Sequence, residues 1–493
     1  MSKFERVLIA NRGEIAKRIY HALRNLEITP VIPVVEKEYA QCFSMYPNAI
    51  VIKAEDGVFL KPDKLIDIAK ENKCQAIHPG YGYLAENADF AKKCEQSGII
   101  FIGPPATAIE LMGHKETARL IAEKSGVSPV PGFSLKGLNE KQIFERAKSI
   151  GFPVLIKASL GGGGKGMRKV EKEEDLLDSI RIAKSESLQY FASDEIFVEK
   201  YIVNPRHIEI QIFSFPGGRT IYIGERECTI QRRHQKIIEE CPSVFVDEEM
   251  RMKMGEAACA LADTVSYVGA GTVEFIVDFD KNFYFLEMNT RIQVEHPVTE
   301  EVYGVDLVKW QIQEAMGLVV NVPQDEIWPS GHAIEFRIYA EDPENNFMPS
   351  PGKILGYFEP KIPGVRIESA VREGYEIFPD FDPMIAKIVV FDSNREDCIQ
   401  KSKRVLNEFV VLGVKTNIDF LKAVLEHPSF LKGDIDTGFI EKNKEFLLEK
   451  RVNTDFSNEE IALICSALSE KKSGQREGEC DADSLPEISG WLP

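Results

Sequence analysis

The sequence predicts a multidomain protein, α/β at its N-terminal end and α+β beyond it. Three observations carry this. From residue 1 to about 112, short apolar runs alternate with amphipathic helical patterns of ~10–15 residues, which implies βαβ units and a parallel sheet. From about 207 the pattern changes to longer period-two runs joined by tight turns, as antiparallel hairpins require. The chain has 493 residues, for which about three domains are expected.

In order along the chain, "RVLIA" is predicted as a strand and "GEIAKRIYHALRNL" as a helix. "TPVIPVV" is a second strand, "DKLIDIAKENK" a helix, "AIHPG" the end of a third strand, "NADFAKKCEQSG" a helix and "IIFIG" a strand. Ligands of such sheets sit beyond the C-terminal ends of the strands, where "NRGE" and "HPGYGYLAEN" fall. A smaller unit follows: a helix over Lys115–Ser125, "SGVSPVPGF", a further helix, "FPVLIKAS", a glycine loop, "GMRKV", a helix and "IFVEKYI". Next come strands joined by "PGG", a helix over Glu248–Ser266, and the paired runs "GTVEFIVDF" and "FYFLEMN". A third region opens at about 331 with "HAIEFRIYA" and closes with helices near 445. The segment beyond about 470 has the composition of a poorly ordered tail. No internal repeat is visible.

The formal net charge is −18, which argues against nucleic acid as a partner, because nucleic-acid binders carry a basic footprint. No apolar run reaches the ~18 residues of a membrane helix. The N-terminal stretch lacks a signal-peptide pattern. The nine cysteines form no C-x-x-C pair, so reduced thiols and a cytoplasmic location are expected.

"LIKASLGGGGKGMRKV" raises the question of phosphate binding. It is not a Walker A loop: Ser159 stands where the first glycine should be, and Gly166 where the hydroxyl residue should be. Gly161, Gly163 and Gly166 satisfy G-x-G-x-x-G, but strand pattern lies on both sides, so the motif is a hairpin tip rather than a strand-to-helix turn. A glycine-rich hairpin with Lys157 before it and Lys165 inside it can fold its N–H groups over nucleotide phosphates. The alternative is a flexible surface hairpin.

"TVEFIVDFDKNFYFLEMNTRIQVEH" is more informative. Pairing across "DKN" sets Glu274 opposite either Glu287 or Asn289, about 5 Å away. Carboxylates that close repel unless they share a cation, and oxygen ligands suit Mg²⁺ or Mn²⁺ beside nucleotide phosphates. Beyond Asn289 the polar residues keep period two: Arg291, Gln293, Glu295. A fully extended chain would separate Glu287 from Glu295 by ~26 Å, so a bend after Asn289 is expected, gathering the three around a second small ligand. An arginine fork suits a planar oxyanion, and a nearby carboxylate can serve as its general base. "QRRHQK" supplies local positive charge through Gln231, Arg232, Arg233, His234 and Lys236.

At these residues the sequence resembles the biotin carboxylase family of ATP-grasp enzymes. The matching stretches include "LIANRGEIAKRI", "HPGYGYLAEN", "PVLIKASLGGGGKGMR", "QRRHQKIIEE", "MNTRIQVEHPVTE", "GHAIEFRIYAEDP" and "PSPGKI". The resemblance implies a Rossmann-like N-terminal domain over 1–112 and an ATP-grasp domain over 113–330, with a mobile glycine-rich flap subdomain at about 130–203. A mixed α+β C-terminal domain over 331–446 and a C-terminal extension over 447–493, partly disordered, complete the expected organisation. It implies ATP-dependent activation of bicarbonate to carboxyphosphate and carboxylation of biotin on a separate carrier protein.

Carried over by position, the resemblance implies that Lys115, Lys157, Gly163 and Gly164 bind phosphates. Glu199, Lys200 and Ile202 hold adenine, and His207, Gln231 and His234 line ribose or phosphate. Glu274, Glu287 and Asn289 bind Mg²⁺ or Mn²⁺, with two cation sites expected. Lys236, Arg291, Gln293 and Val294 hold bicarbonate, Glu295 is its base, and Arg337 steadies the biotin enolate. A different reading makes Arg337 a strand-face partner of Glu335. The implied partners are a biotin carboxyl carrier protein, a carboxyltransferase and a second copy of the chain in a homodimer.

Two features depart from the family pattern: "EKEYAQCFSMYPNAI" is less polar than usual, and the C-terminal tail matches nothing clear. "RMKM" is similar to the biotin-accepting site of carrier domains, but Lys253 sits in an amphipathic helical pattern, so it is not expected to carry biotin. The competing readings are a carbamoyl-phosphate-synthase-like ligase, which ammonia would stimulate, and a scaffold that binds nucleotide without turnover.

Overall fold

The computed structural model describes residues 4–158, 167–191, 193–233, 235–318, 320 and 322–449. The expected disordered tail and the glycine hairpin with Gly163 and Gly164 lie outside the described residues, as does His234.

Five parallel strands form the N-terminal sheet: β1 (Arg6–Ile9), β2 (Thr29–Val35), β3 (Ile50–Ala54), β4 (Ala76–His78) and β5 (Ile100–Phe101), in the order β3-β2-β1-β4-β5. β2 is buried along nearly its whole length, as expected of a parallel strand covered on both faces. β3 and the helix Glu36–Cys42 before it were not among the expected elements. The helix is short and the strand only half-buried, so neither leaves a clear periodic trace.

The flap is a four-stranded sheet, β6 (Gly132–Ser134), β7 (Val154–Ala158), β8 (Arg168–Val170) and β9 (Ile196–Lys200), in the order β6-β9-β7-β8. Two helices pack on it and enclose a separate apolar core around Ile143, Val154, Ile156, Leu176 and Val198. One of them, Glu140–Ile150, starts with a capping box in which Asn139 and Gln142 satisfy each other's backbone N–H groups.

The largest sheet has eight strands among the described residues: β10 (Arg206–Phe215), β11 (Arg219–Arg232), β12 (Gln235–Cys241), β13 (Gly269–Val277), β14 (Phe283–Asn289), β15 (His332–Tyr339), β16 (Val365–Ser369) and β17 (Met384–Asp392). Their order is β14-β13-β10-β11-β12-β15-β17-β16. The "PGG" turn between β10 and β11 places Gly217 and Gly218 at φ 94° and 85°, a region where glycine carries no Cβ penalty. The break expected at 330/331 is not a break in this sheet: β15 pairs directly with β12, with Glu239 opposite Glu335 and Ile238 opposite Phe336. Period two repeats on both sides of residue 330, so the pattern could not reveal that the two regions share a ladder.

Lys253 is an exposed helical residue paired with Glu249. No helix among the described residues is long and apolar enough to cross a membrane. The described cysteines are all free.

Candidate active site

β13 and β14 pair with Glu274 opposite Glu287 and Thr272 opposite Asn289, which settles the register left open by the sequence. The ladder slips by one residue between Glu274 and Phe275, since Phe275 faces Phe285 and Leu286 is left over. Such a bulge re-aims the side chains beside it. Here Glu287 is exposed at a cavity wall while Phe275 and Phe285 stay in the core. β14 ends at Asn289, and the chain then bends into the helix His296–Tyr303. The predicted bend is therefore present, and it brings Arg291, Gln293 and Glu295 back beside Glu274.

These residues border a cavity of about 530 Å³ lined by the flap sheet and the eight-stranded sheet. Lys115, Lys157, Glu199, Lys200 and Ile202 line one part of it, with His207 and Gln231. Glu274, Glu287, Asn289, Lys236, Arg291, Gln293, Val294, Glu295 and Arg337 line the rest. Every described residue to which the resemblance gave a role thus borders one space. The basic run divides. Lys236 and Gln231 face the cavity, whereas Arg232 turns away to Glu341 at 2.8 Å and Arg233 to Asn346 at 2.8 Å.

Lys157 and Glu199 form an ion pair across the flap strands. Lys200 donates to the carbonyl of Gly151 at 2.9 Å, so its ammonium is tied to the flap. His207 Nδ1 and the Gln231 amide lie 2.8 Å apart. Burial, with Lys157 nearby, depresses the Lys115 ammonium despite the pull of Glu287.

Deeper in, Lys236 reaches three carboxylates: Glu209 at 2.5 Å, Glu295 at 2.7 Å and Glu274 at 2.9 Å. Burial acts to neutralise this lysine, but the three carboxylates outweigh it and hold it protonated. Arg337 donates from Nε to Glu239 at 2.6 Å and from its terminal nitrogen to Glu295 at 2.9 Å. The alternative pairing of Arg337 with Glu335 is not what forms. Burial acts to raise the Glu295 carboxyl, but Lys236, Arg337 and Arg226 together hold it well below the ordinary carboxylate range.

Glu274 accepts hydrogen bonds from Asn289 at 2.8 Å and Gln293 at 2.7 Å. Lys236 and His207 overcome burial and keep it ionised. Glu287 behaves oppositely. Crowding by the cleft walls and then the charge on Glu274 raise it. Two opposed carboxylates repel, so one resists ionisation, and oxygen ligands this close are ones a shared cation would stabilise. Arg291 bridges Glu86 at 2.8 Å and the side-chain oxygen of Asn289 at 2.7 Å.

Several members of this network were not legible as site residues. Arg226 is fully buried and donates to Glu209 at 2.5 Å, Gln293 at 2.6 Å, Gln211 at 2.7 Å, Thr299 at 3.0 Å and Thr272 at 3.1 Å. Glu209, Glu239 and Glu86 are the acidic counterparts around the pocket. The available signal was charge inside apolar strands, Glu209 in "HIEIQIF" and Arg226 in "IGERECTI", since a buried charge needs a partner. Replacing Arg226 by leucine is expected to destabilise the protein by about 3–5 kcal/mol, the usual cost of stranding a buried partner. Calorimetric unfolding of the variant against the parent checks this.

The fold is that of an ATP-grasp-type ligase. The Biotin carboxylase N-terminal domain family matches residues 3–109, the Carbamoyl-phosphate synthase L chain ATP binding domain matches 114–322, and the Biotin carboxylase C-terminal domain matches 335–442. The chain belongs to the biotin carboxylase family.

It is 47% identical to "Biotin carboxylase 1" of Bacillus subtilis over 89% of this chain and 98% of that one. It is 44% identical to the mitochondrial methylcrotonoyl-CoA carboxylase subunit alpha of Dictyostelium discoideum over 97% of this chain. It spans 69% of that subunit's length and 62% of its mouse and rat counterparts. Among solved structures it resembles the biotin carboxylase domain dimer of Hydrogenobacter thermophilus 2-oxoglutarate carboxylase, in complex with MgADP, ADP and bicarbonate. That match has a TM-score of 0.86 and 41% identity and covers 92% of this chain and 100% of that one.

Proposed function

We propose that the chain catalyses the ATP- and bicarbonate-dependent carboxylation of biotin through carboxyphosphate, the first half-reaction of a biotin-dependent carboxylase. One observation carries this reading: a single cavity holds opposed carboxylates beside a third carboxylate, Glu295, gripped by Lys236 and Arg337. The proposed domains are 1–112, 113–330 with its flap, and 331–446, with the extension 447–493.

In this reading Lys115 and Lys157 receive the nucleotide phosphates, with Gly163 and Gly164 closing over them. Glu199, Lys200 and Ile202 border the adenine, and His207, Gln231 and His234 the ribose or phosphates. Lys236, Arg291, Gln293 and Val294 hold bicarbonate. Glu295 takes the proton of bicarbonate, whose oxygen attacks the terminal phosphorus of ATP as the bond to ADP breaks. Carboxyphosphate then falls apart to CO₂ and phosphate; the released phosphate takes the proton from N1 of biotin, and N1 bonds to CO₂. Arg337 faces the negative charge that develops on the biotin oxygen.

The all-oxygen set of Glu274, Glu287 and Asn289 fits Mg²⁺ or Mn²⁺, and the raised Glu287 carboxyl is the group a cation there would relieve. Such ions supply charge neutralisation for phosphoryl transfer. Each cationic neighbour that turns to the substrate loosens its hold on Glu295 and restores proton affinity to it. The proposed partners are a biotin carboxyl carrier protein, a carboxyltransferase and a second copy of the chain. The proposed location is the cytoplasm, consistent with the free, mostly buried thiols.

ATP cleavage by the purified protein is expected to require bicarbonate and a divalent cation and to rise with free biotin. Stimulation by ammonia instead of biotin would favour the carbamoyl-phosphate-type reading. Nucleotide binding without turnover would favour a scaffold.

A further inference from the structure

Lys387 has no place in the functional reading above, yet it is one of the largest fully buried side chains of the protein. It lies on β17 directly opposite Arg337 on β15. Two like charges on facing residues of neighbouring strands repel, so the pair persists only because each cation is spent elsewhere. Arg337 turns to Glu239 and to the Glu295 side chain. Lys387 turns to the main chain of the same segment, donating to the Val294 carbonyl at 2.7 Å. Two cross-strand neighbours therefore grip both sides of one stretch, the carboxylate of Glu295 and the peptide group just before it.

The ammonium of Lys387 has a carboxylate on each of two further sides. Glu368, its cross-strand partner on β16, stands 2.9 Å away. Glu14, from the "NRGE" motif at the start of the first helix, stands 3.6 Å away. "NRGE" was singled out from the sequence as lying at a ligand-facing strand end, and no ligand role in the proposed reaction absorbs it. Its glutamate instead lies within ion-pair distance of the lysine that holds the proposed bicarbonate segment.

We propose that Lys387, flanked by the carboxylates of Glu14 and Glu368, is a positioning residue that fixes the Val294–Glu295 peptide and with it the bicarbonate end of the cavity. The inference rests on the proposed function. A displacement of about 1 Å in a group that orients a reactant can cost about 10²-fold in rate, and one hydrogen bond to a carbonyl is enough to permit or prevent it.

The test compares Lys387→Met and Glu14→Gln with the parent in bicarbonate-dependent ATP cleavage, with thermal midpoints recorded for each. A methionine side chain at this position nearly keeps the length of the lysine but donates nothing. Lys387→Met is expected to raise the KM for bicarbonate or lower kcat by about 10–100-fold while the KM for ATP stays within about twofold. Glu14→Gln supplies a neutral side chain of the same shape and is expected to move the same constant by about 3–10-fold. A generally loosened protein would raise both KM values together, and that pattern overturns the proposal. So does a folded variant, either one, with the parent's bicarbonate kinetics. Should Lys387→Met fail to fold, Glu14→Gln decides alone. If the parent shows no bicarbonate-dependent cleavage, the functional reading fails instead, which keeps the two failures distinct.

Discussion

Glu295→Gln is expected to lower turnover by about 10²–10⁴-fold, the usual worth of a general base, and to leave the KM for ATP nearly unchanged. The geometry separates the two constants. Glu295 contacts Lys236 and Arg337, whereas the lysine–glutamate pair of the flap, Lys157 and Glu199, lies in another part of the cavity wall. The amide keeps the volume and an acceptor for Lys236 but offers N–H groups toward Arg337, which also donates, so a modest loss of stability accompanies the loss of rate. Steady-state kinetics with calorimetry of the same sample separates the effects. A turnover close to the parent's would remove Glu295 from the role of base.

Arg337→Ala carries the second large effect. If Arg337 meets the charge developing on biotin, its loss should cost about 10²–10³-fold in biotin carboxylation, typical of removing one donor to a developing oxyanion. Bicarbonate-dependent ATP cleavage should fall less, by roughly tenfold, because Arg337 also orients Glu295 at 2.9 Å. The structure thus tempers the simple expectation of a purely biotin-side defect. The substitution also leaves Glu239, already raised by burial, without its nearest cation. Equal losses in the two assays would contradict the biotin-side role.

The central hairpin was legible because its apolar residues fix the face and the "DKN" turn fixes the length, leaving only a choice between Glu287 and Asn289 for Glu274. Register at that level depends on where a bulge falls, and Leu286, the extra residue, looks like any other strand residue in sequence. The bend after Asn289 was legible from distance alone, since one small ligand cannot reach both ends of an extended segment. Glu209, Arg226, Glu239 and Lys387 escaped notice for the opposite reason. Each sits where an apolar strand residue would be expected, and only three-dimensional pairing shows what neutralises it. β3 was missed because half-buried five-residue strands carry little periodicity. The shared ladder between β12 and β15 was missed because strand pairing between distant segments leaves no local mark.

That shared ladder has a mechanical corollary. Glu274 and Glu287, Lys236 and Arg337 stand on four strands of one hydrogen-bonded plate, so their spacing is cast in a single piece rather than assembled at a seam. The flap encloses an apolar core of its own, packed apart from the residues that hold that plate together.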